Sequence, residues 1–566
     1  MWRRQGRGPG LLFAATALGI LLWVGAAWTV QFGFHKGASI GGLLFRTQDM
    51  PALIFGAAML LICAPFASKG PPLDRRGGLH PVQVTGMFVI FALAAWLLYR
   101  LVFHSHPLSR DEEVAEFAAA YFREGLLARP IPPEWVPYRR AIMPEFFSPF
   151  GADHFWASAY LPVNSAIRAV FLWLGAASWA GPALVLTGLV ALWRVALRLF
   201  PNEKDALIVV LVMTLGSAQL LFTAMTAYAM TAHFAFNMVW LALVLRDRRW
   251  SHALAGVVAI LAAGLHQWHF PLIFLAPFLL WFGLQRRWRL LAFHAAILVL
   301  AVVIWGKLWP QFLLDQLGPP ADVMPAAGVG DKMGSLVSRL SKWHPHLHLA
   351  RFVAWNNLLL VPLSVVAVFT MNWREALRGK TVELPLALGC LGASALAIDQ
   401  GYGWGYRYLN GYIGCFALLA AYGWTRMRHR SLRPIWISVV IAVAMGSFLA
   451  ARMATYSNGY ARARDAILAS KADIVIVDPR GGRYAADLAW GRDHMPLGKP
   501  VVMYLGAISS SALGRLCDRY SIAIMDRRVF LPLGVNAMNW GNANMVRLRA
   551  QMERRKCGAL LIAPPR

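Results

Sequence analysis

Long apolar segments recur along this chain, and they constrain its fold more than any other feature. Each contains roughly 17 to 22 predominantly apolar residues, enough to cross about 30 Å of hydrocarbon as an α-helix. Of the 566 residues, 58% are hydrophobic and only 14% are charged, whereas a soluble domain carries about 25% charged residues. The sequence therefore predicts a membrane protein with many spans.

The apolar segments predict about 13 membrane helices. They lie at residues 11–30, 51–67, 82–102, 181–199, 206–225, 230–246, 251–267, 270–284, 290–309, 351–370, 382–398, 411–425 and 434–451. Alternate connections between them contain clusters of Lys and Arg, which is typical of cytoplasmic loops. This alternation predicts a multi-pass protein of the bacterial inner membrane, with a cytoplasmic N-terminus and an extracytoplasmic, periplasmic C-terminus.

The net charge of +28 does not indicate a nucleic-acid partner. Most of the basic residues lie in short clusters between the apolar runs, and not along one continuous surface. We interpret the charge as a topology signal that also attracts anionic membrane lipid.

The first long outer connection is predicted at residues 103–180. Its segment 156–178 is apolar, but Pro162, Asn164 and Arg168 interrupt it. A span here would also place the next basic loop outside the cell. We therefore predict an interfacial helix on the outer surface.

A second outer loop is predicted at residues 310–350. In the tail, residues 452–566, short apolar runs alternate with helix-like stretches, which predicts a small extracytoplasmic α/β domain. Cys517 and Cys557 could pair there, although the sequence alone does not show it. The predicted fold is an all-α polytopic membrane domain, residues 1–451, with outer-face interfacial helices and a small C-terminal α/β soluble domain.

An acidic cluster, Asp111-Glu112-Glu113, opens an amphipathic stretch just after an outward-going helix. One interpretation is a helix start, with Ser109 as the N-cap and the acids favourable to the helix dipole. The other is a general base held at the membrane surface. The two interpretations are compatible, since a carboxylate fixed on a helix is well placed to accept a proton.

Three histidines lie near the outer ends of predicted helices: His233, His266 and His269. Each could be an ordinary hydrogen-bonded structural residue. Polar side chains at membrane depth are costly, however, and this favours a functional role such as donating to a phosphate or binding a metal.

Alternating histidines also occur in the second outer loop, at His344, His346 and His348. In an extended strand they would share one face and could bind a metal. No Cys or acidic residue nearby completes such a site, so a metal site is the weaker interpretation.

Arg407 is the one basic residue in the segment 399–410, which is rich in glycine and aromatic residues. It could be an arginine that reaches the membrane interface from an aromatic belt. The alternative, which we favour, is an anion clamp, because a guanidinium binds two phosphate oxygens at once and glycines allow close backbone approach.

These motifs resemble the GT-C superfamily of polytopic glycosyltransferases, in particular the branch of protein O-mannosyltransferases and lipid A aminoarabinose transferases. Pro107–Glu112 matches the acidic pair at the start of that branch's first outer loop, and 156–178 matches its interfacial helices. Gly405–Leu409 matches a late G-x-R-Y-L segment. The resemblance covers roughly residues 82–451.

The resemblance implies a set of site residues. Its matching motifs imply Asp111 and Glu112 as catalytic residues and Arg407 with Tyr408 for the donor phosphate. From their own positions in the sequence, His233, His266 and His269 are added for the donor phosphate, and Asp153 and His154 for the sugar.

The function implied by the resemblance is transfer of a sugar from a polyprenyl-phosphate donor to a hydroxyl of a glycan, lipid or protein, by one inverting displacement at the extracytoplasmic face. No cofactor is certain, and a divalent metal is left open. Three alternatives remain: a lipid-linked glycan ligase or polymerase, a non-enzymatic transporter or flippase, and a scaffold subunit. The glycosyltransferase interpretation requires Asp111, Arg407 and the histidines to line one cavity.

Overall fold

The computed structural model describes residues 8–34, 39–67, 79–143, 145–151, 154–320, 344–396, 400–427, 431–491, 497–537 and 541–561. Helices dominate these ranges. Six of the helices found there are long and apolar enough to cross a membrane by length and composition: Gly8–Gly33, Ile40–Ala67, Pro81–Val102, Ala177–Leu199, Trp288–Leu317 and Arg433–Leu468. They agree with a multi-pass membrane protein.

The other predicted spans coincide with shorter helices. These are Lys204–Leu215, Ala218–Thr223, Met230–Arg246, Arg249–Ala263, His269–Leu284, Pro345–Ala354, Leu360–Thr370, Glu383–Leu396 and Ile413–Thr425. The predicted span 206–225 is divided at Gly216, and Ser217 begins the second piece by accepting a hydrogen bond from the backbone N–H of Leu220. The total of about 13 spans therefore stays a prediction.

The first outer loop contains two helices that pack against each other, Arg110–Arg123 and Val163–Trp173. Between them, a short antiparallel pair joins β1 (Arg129–Pro130) to β2 (Phe155–Trp156). This compact loop places the acidic start of the first helix beside the ends of the membrane helices.

Polar residues within the apolar segment 156–178 bind it to the protein. The amide of Asn164 donates to the backbone oxygen of Ala227 at 3.0 Å, and Arg168 Nη2 donates to the backbone oxygen of Thr226 at 2.8 Å. The helix in this segment has 11 residues, about 16 Å at 1.5 Å per residue. That is too short to cross a bilayer, so its polar residues serve as tertiary contacts.

In the tail, a four-stranded parallel sheet has the order β4-β3-β5-β6. Its strands are β3 (Ile474–Val477), β4 (Val501–Tyr504), β5 (Ile522–Met525) and β6 (Ala559–Leu560). The central strands are runs of buried aliphatic residues, as expected where both faces of a parallel sheet are covered. Helix Arg433–Leu468 continues past residue 451, where the domain boundary is predicted. The division into two domains remains a prediction.

A buried ion pair joins the N-terminal helices to the segment that contains Arg407. Arg351 Nε donates to Asp49 Oδ2 at 2.8 Å, and both side chains are fully buried. The indole of Trp355 donates to the other oxygen of Asp49, and Arg351 Nη2 donates to the backbone oxygen of Gly403 at 2.7 Å. The pair therefore supports the backbone four residues before Arg407.

Removing one partner of this pair should destabilise the protein strongly. Asp49→Asn leaves the Arg351 guanidinium buried without a counter-charge, and such a change costs about 3 to 5 kcal/mol. We expect thermal unfolding of the purified protein in detergent at a clearly lower temperature. Replacing both residues, as in Asp49→Leu with Arg351→Met, should be milder, because no charge is then left unpaired. A single variant as stable as the wild type would contradict this account.

Candidate active site

Asp111 and Arg407 meet although 296 positions separate them. Arg407 Nη1 donates to Asp111 Oδ2 at 3.0 Å, and the two side chains are only 8% and 14% exposed. A carboxylate and a guanidinium at this distance can act in one reaction, the carboxylate as a base and the guanidinium as an anion-binding group. We refer to these two residues as the central pair.

The start of helix Arg110–Arg123 positions the carboxylate. Ser109 precedes this helix in extended conformation as the N-cap residue. Asp111 therefore lies in the first turn of the helix, where the helix dipole favours negative charge. The Tyr160 hydroxyl donates to Asp111 Oδ1. Burial, and then the nearby Asp111 charge, raise the pKa of Tyr160, so its hydroxyl keeps its proton and remains a donor.

A glycine-rich turn positions the guanidinium. Gln400 accepts from the backbone N–H of Arg407 at 2.7 Å and donates to the backbone oxygen of Gly405 at 2.8 Å. Gly405 has a φ of +67°, and a Cβ there would lie 2.2 Å from the side-chain oxygen of Gln219. Only glycine fits that position, so this turn requires glycine at residue 405.

Aromatic rings surround the central pair. The guanidinium carbon of Arg407 lies 4.6 Å from the ring centre of Tyr228 and 5.3 Å from that of Tyr408. The ring of Tyr160 stacks on His266, with ring centres 4.5 Å apart. A small cavity of about 20 Å³ lies between these groups, and its walls include Asp111, Tyr160, Asn164, Tyr228, His266 and Arg407.

The three predicted phosphate-binding histidines pack around one ring, that of Phe270. Its centre lies 6.0 Å from His233, 5.8 Å from His266 and 4.7 Å from His269, and the ring stacks on Tyr408 at 5.2 Å. His233 is buried and His269 is exposed. The structure thus gathers all three near the central pair, but of the three His266 is the one that lines its cavity.

Glu112 does not face the central pair. Its carboxylate accepts from the backbone N–H groups of Leu108 and Ala227, at 3.2 and 3.3 Å, and from the Ser109 hydroxyl at 3.4 Å. The Ser109 hydroxyl also contacts the Tyr228 hydroxyl at 2.7 Å. Burial raises the pKa of Glu112 to about 7. These contacts favour a role in joining the acidic helix to the 226–228 turn.

This buried carboxyl should make the stability of the fold depend on pH. Because the folded-state pKa of Glu112 lies above the ordinary value of 4.5, its contribution is complete below about pH 4.5 and is lost as the pH rises through about 7. Asp487, whose pKa burial also raises to about 7, adds in the same direction. We expect Glu112→Gln to flatten, but not abolish, the decline in unfolding temperature over this range. Glu124→Gln, at the exposed end of the same helix, should leave the decline unchanged, and an unaltered profile in Glu112→Gln would contradict this prediction.

Of the two predicted sugar-binding residues, the structure describes His154 alone. Asp153 lies outside the described residues. His154 is exposed, and its backbone N–H donates to the oxygen of Gly151 at 2.9 Å. His154 lines neither the cavity at the central pair nor the larger one described below.

The alternating histidines lie at the start of helix Pro345–Ala354, not in an extended strand. His348 is buried and stacks on Tyr406, with ring centres 4.8 Å apart. Proline at the first helical position favours this helix start. Among the residues that the structure describes, no three His, Cys, Asp or Glu side chains group as metal ligands.

Sequence reasoning missed Tyr160 and Tyr228. Tyrosines are common at membrane interfaces, so neither position was distinctive. Arg168 does carry a signal, because it is a lone arginine within an apolar run. From the sequence, however, it indicates only that the run is not a membrane span. Its partly buried ion pair with Glu116, at 2.8 Å, forms only in the folded chain.

No family model and no curated protein matches the chain. Among solved structures, the chain is similar to ArnT from Cupriavidus metallidurans bound to undecaprenyl phosphate, with 12% identity and a TM-score of 0.48, over 80% of this chain and 88% of that chain. The apo state of the same protein gives 13% identity and a TM-score of 0.43 over the same shares.

Proposed function

We propose that this protein is a membrane glycosyltransferase of the GT-C type. It would transfer a sugar from a polyprenyl-phosphate donor to a hydroxyl acceptor at the extracytoplasmic face, by one inverting displacement. The observation that carries the proposal is the pairing of Asp111 with Arg407 at 3.0 Å, within a ring of aromatic and histidine side chains. A base and an anion-binding group at contact distance are the two groups that such a displacement needs.

Arg407 binds the donor phosphate and stabilises it as it leaves. When the bond between the anomeric carbon and the phosphate oxygen breaks, negative charge develops on the phosphate, and a fixed guanidinium stabilises that charge. The rings of Tyr228 and Tyr408 hold the guanidinium in place. Tyr408 and His266 are positioned to donate to the same phosphate, and His233 and His269 support them through Phe270.

Asp111 accepts the proton of the acceptor hydroxyl as that oxygen bonds to the anomeric carbon. The donor phosphate and Asp111 compete for the same guanidinium. Donor binding therefore releases the carboxylate from Arg407, and its oxygen is then free to accept the proton of the acceptor hydroxyl. The hydroxyl of Tyr160 keeps the released carboxylate oriented.

The extracytoplasmic location is supported by the tail as well as by the basic loops. Cys517 and Cys557 form a disulfide, and disulfides persist in oxidising compartments such as the periplasm. The tail contacts the first outer loop, which contains Asp111: Asp487 of the tail pairs with Arg110 at 3.1 Å. The site and the tail then face the same compartment.

Lipid analysis tests the proposal. Cells that lack this protein should accumulate a polyprenyl-phosphate-linked sugar, which liquid chromatography with mass spectrometry would detect in lipid extracts. The purified protein in detergent should then convert that lipid to polyprenyl phosphate when an extract of cell-envelope acceptors is added. A transporter or flippase would leave the lipid chemically unchanged, and that result would reject the proposed function.

A further inference from the structure

A second, larger cavity lies beside the central pair. Its volume is about 180 Å³, and its polar lining includes Tyr99, Glu112, Glu116, Arg168, Ser178 and Thr226. By the same measure, one buried water needs about 10 to 15 Å³, so the cavity has room for an organic group. Ala227 lines both cavities, which places the larger one directly next to the reacting groups.

The charged groups of this cavity are held in place. Arg168 Nη1 donates to Glu116 Oε1 at 2.8 Å, and the Arg168 side chain is only 6% exposed. Its Nη2 donates to the backbone oxygen of Thr226. Its Nε is buried and has no hydrogen-bond partner within the described part of the chain. A buried guanidinium N–H without a partner is costly, and this favours a ligand group that accepts from it.

The lining offers both hydrogen-bond donors and acceptors in a small volume. The carboxylates of Glu112 and Glu116 accept, and the Arg168 guanidinium donates. A sugar hydroxyl can do both at once, whereas a phosphate would meet two carboxylates and an apolar chain would leave the buried Arg168 Nε without an acceptor. The chemistry therefore selects an uncharged polyhydroxyl group.

We infer that this cavity holds a sugar ring of the reaction, bound through Glu116 and Arg168. The inference rests on the proposed function and places one sugar of that reaction. The sugar is either the one on the donor lipid or, with a glycan acceptor, the one that carries the acceptor hydroxyl. A purely structural ion pair is the competing explanation, and the experiment below separates the three.

The experiment compares binding and turnover by full-length protein in detergent. Glu116→Gln and Arg168→Lys alter the polar groups, and Ala177→Phe, at an exposed residue of the lining, fills space without removing a charge. Glu124→Gln is the matched control, because Glu124 forms the same kind of pair with Arg129, at 2.8 Å, on the exposed surface. Undecaprenyl phosphate serves as the bare lipid, and lipid-linked sugar extracted from cells lacking this protein serves as the donor.

If the cavity holds the donor sugar, Glu116→Gln and Arg168→Lys should bind the lipid-linked sugar about tenfold more weakly, the loss expected from one hydrogen bond to a charged group. Ala177→Phe should also weaken this binding, because its ring occupies the space of the sugar. Their binding of undecaprenyl phosphate should equal that of the wild type. If it holds the acceptor sugar, both lipids should bind normally while the acceptor KM rises about tenfold. Wild-type binding and turnover in Ala177→Phe, whatever the two polar variants show, would identify a purely structural ion pair and overturn the inference. Failure of the proposed function would look different, since the wild-type protein itself would then turn over no lipid-linked sugar.

Discussion

Asp111→Asn is expected to lower sugar transfer by about 100- to 10,000-fold, the range that a general base contributes. Asparagine has nearly the same shape; its amide oxygen can still accept from Arg407, and its NH2 group can donate to the Tyr160 oxygen. It cannot take up the proton of the acceptor hydroxyl. The loss should therefore appear in kcat while the protein stays folded and still binds undecaprenyl phosphate.

The measurement is the rate at which lipid-linked sugar becomes polyprenyl phosphate, at saturating donor, with unfolding temperature recorded in parallel. Glu124→Gln, at the exposed C-cap of the same helix, should show the wild-type rate. Glu112→Gln should lose far less activity than Asp111→Asn, because the Glu112 carboxylate is engaged with backbone N–H groups. Wild-type turnover by Asp111→Asn would refute the assignment of the base.

Arg407→Ala is expected to lower kcat by about 100- to 1,000-fold, the effect of removing one donor aimed at developing charge. The donor phosphate would lose its counter-charge as the bond to the sugar breaks. Arg407→Lys should recover part of the rate, since lysine supplies the charge but not the paired N–H groups of a guanidinium. The order wild type, lysine, alanine is the signature of a group that acts on the leaving phosphate.

A folding defect needs to be separated from this loss, because Arg407→Ala leaves Asp111 without its partner. The double variant Arg407→Ala with Asp111→Asn removes that unpaired charge and should unfold at a higher temperature than Arg407→Ala alone, yet remain inactive. Arg129→Gln, which breaks a surface pair, should retain full turnover. Unchanged kcat in Arg407→Ala would eliminate the phosphate clamp.

Much of the architecture could be predicted from the order of residues. Apolar runs become helices in a bilayer because each backbone polar group must be satisfied within its own segment. The helix that starts at Arg110, the short strands of the tail and the distinctive position of Arg407 each follow from patterns a few residues long. The interpretation of Asp111 and Arg407 as functional residues also came from local patterns, as charged side chains near apolar segments.

The tertiary structure alone decided which of these residues meet. Nothing in the sequence specifies that Asp111 contacts Arg407 and Tyr160 while its neighbour Glu112 turns away to backbone N–H groups, since one helical step of about 100° separates the two directions. Likewise, the sequence shows Arg168 only as an interruption of an apolar segment, whereas folding brings it into contact with Glu116 and Thr226. Local patterns predict the structure of a residue's own segment, whereas a site built from distant segments depends on how the helices pack.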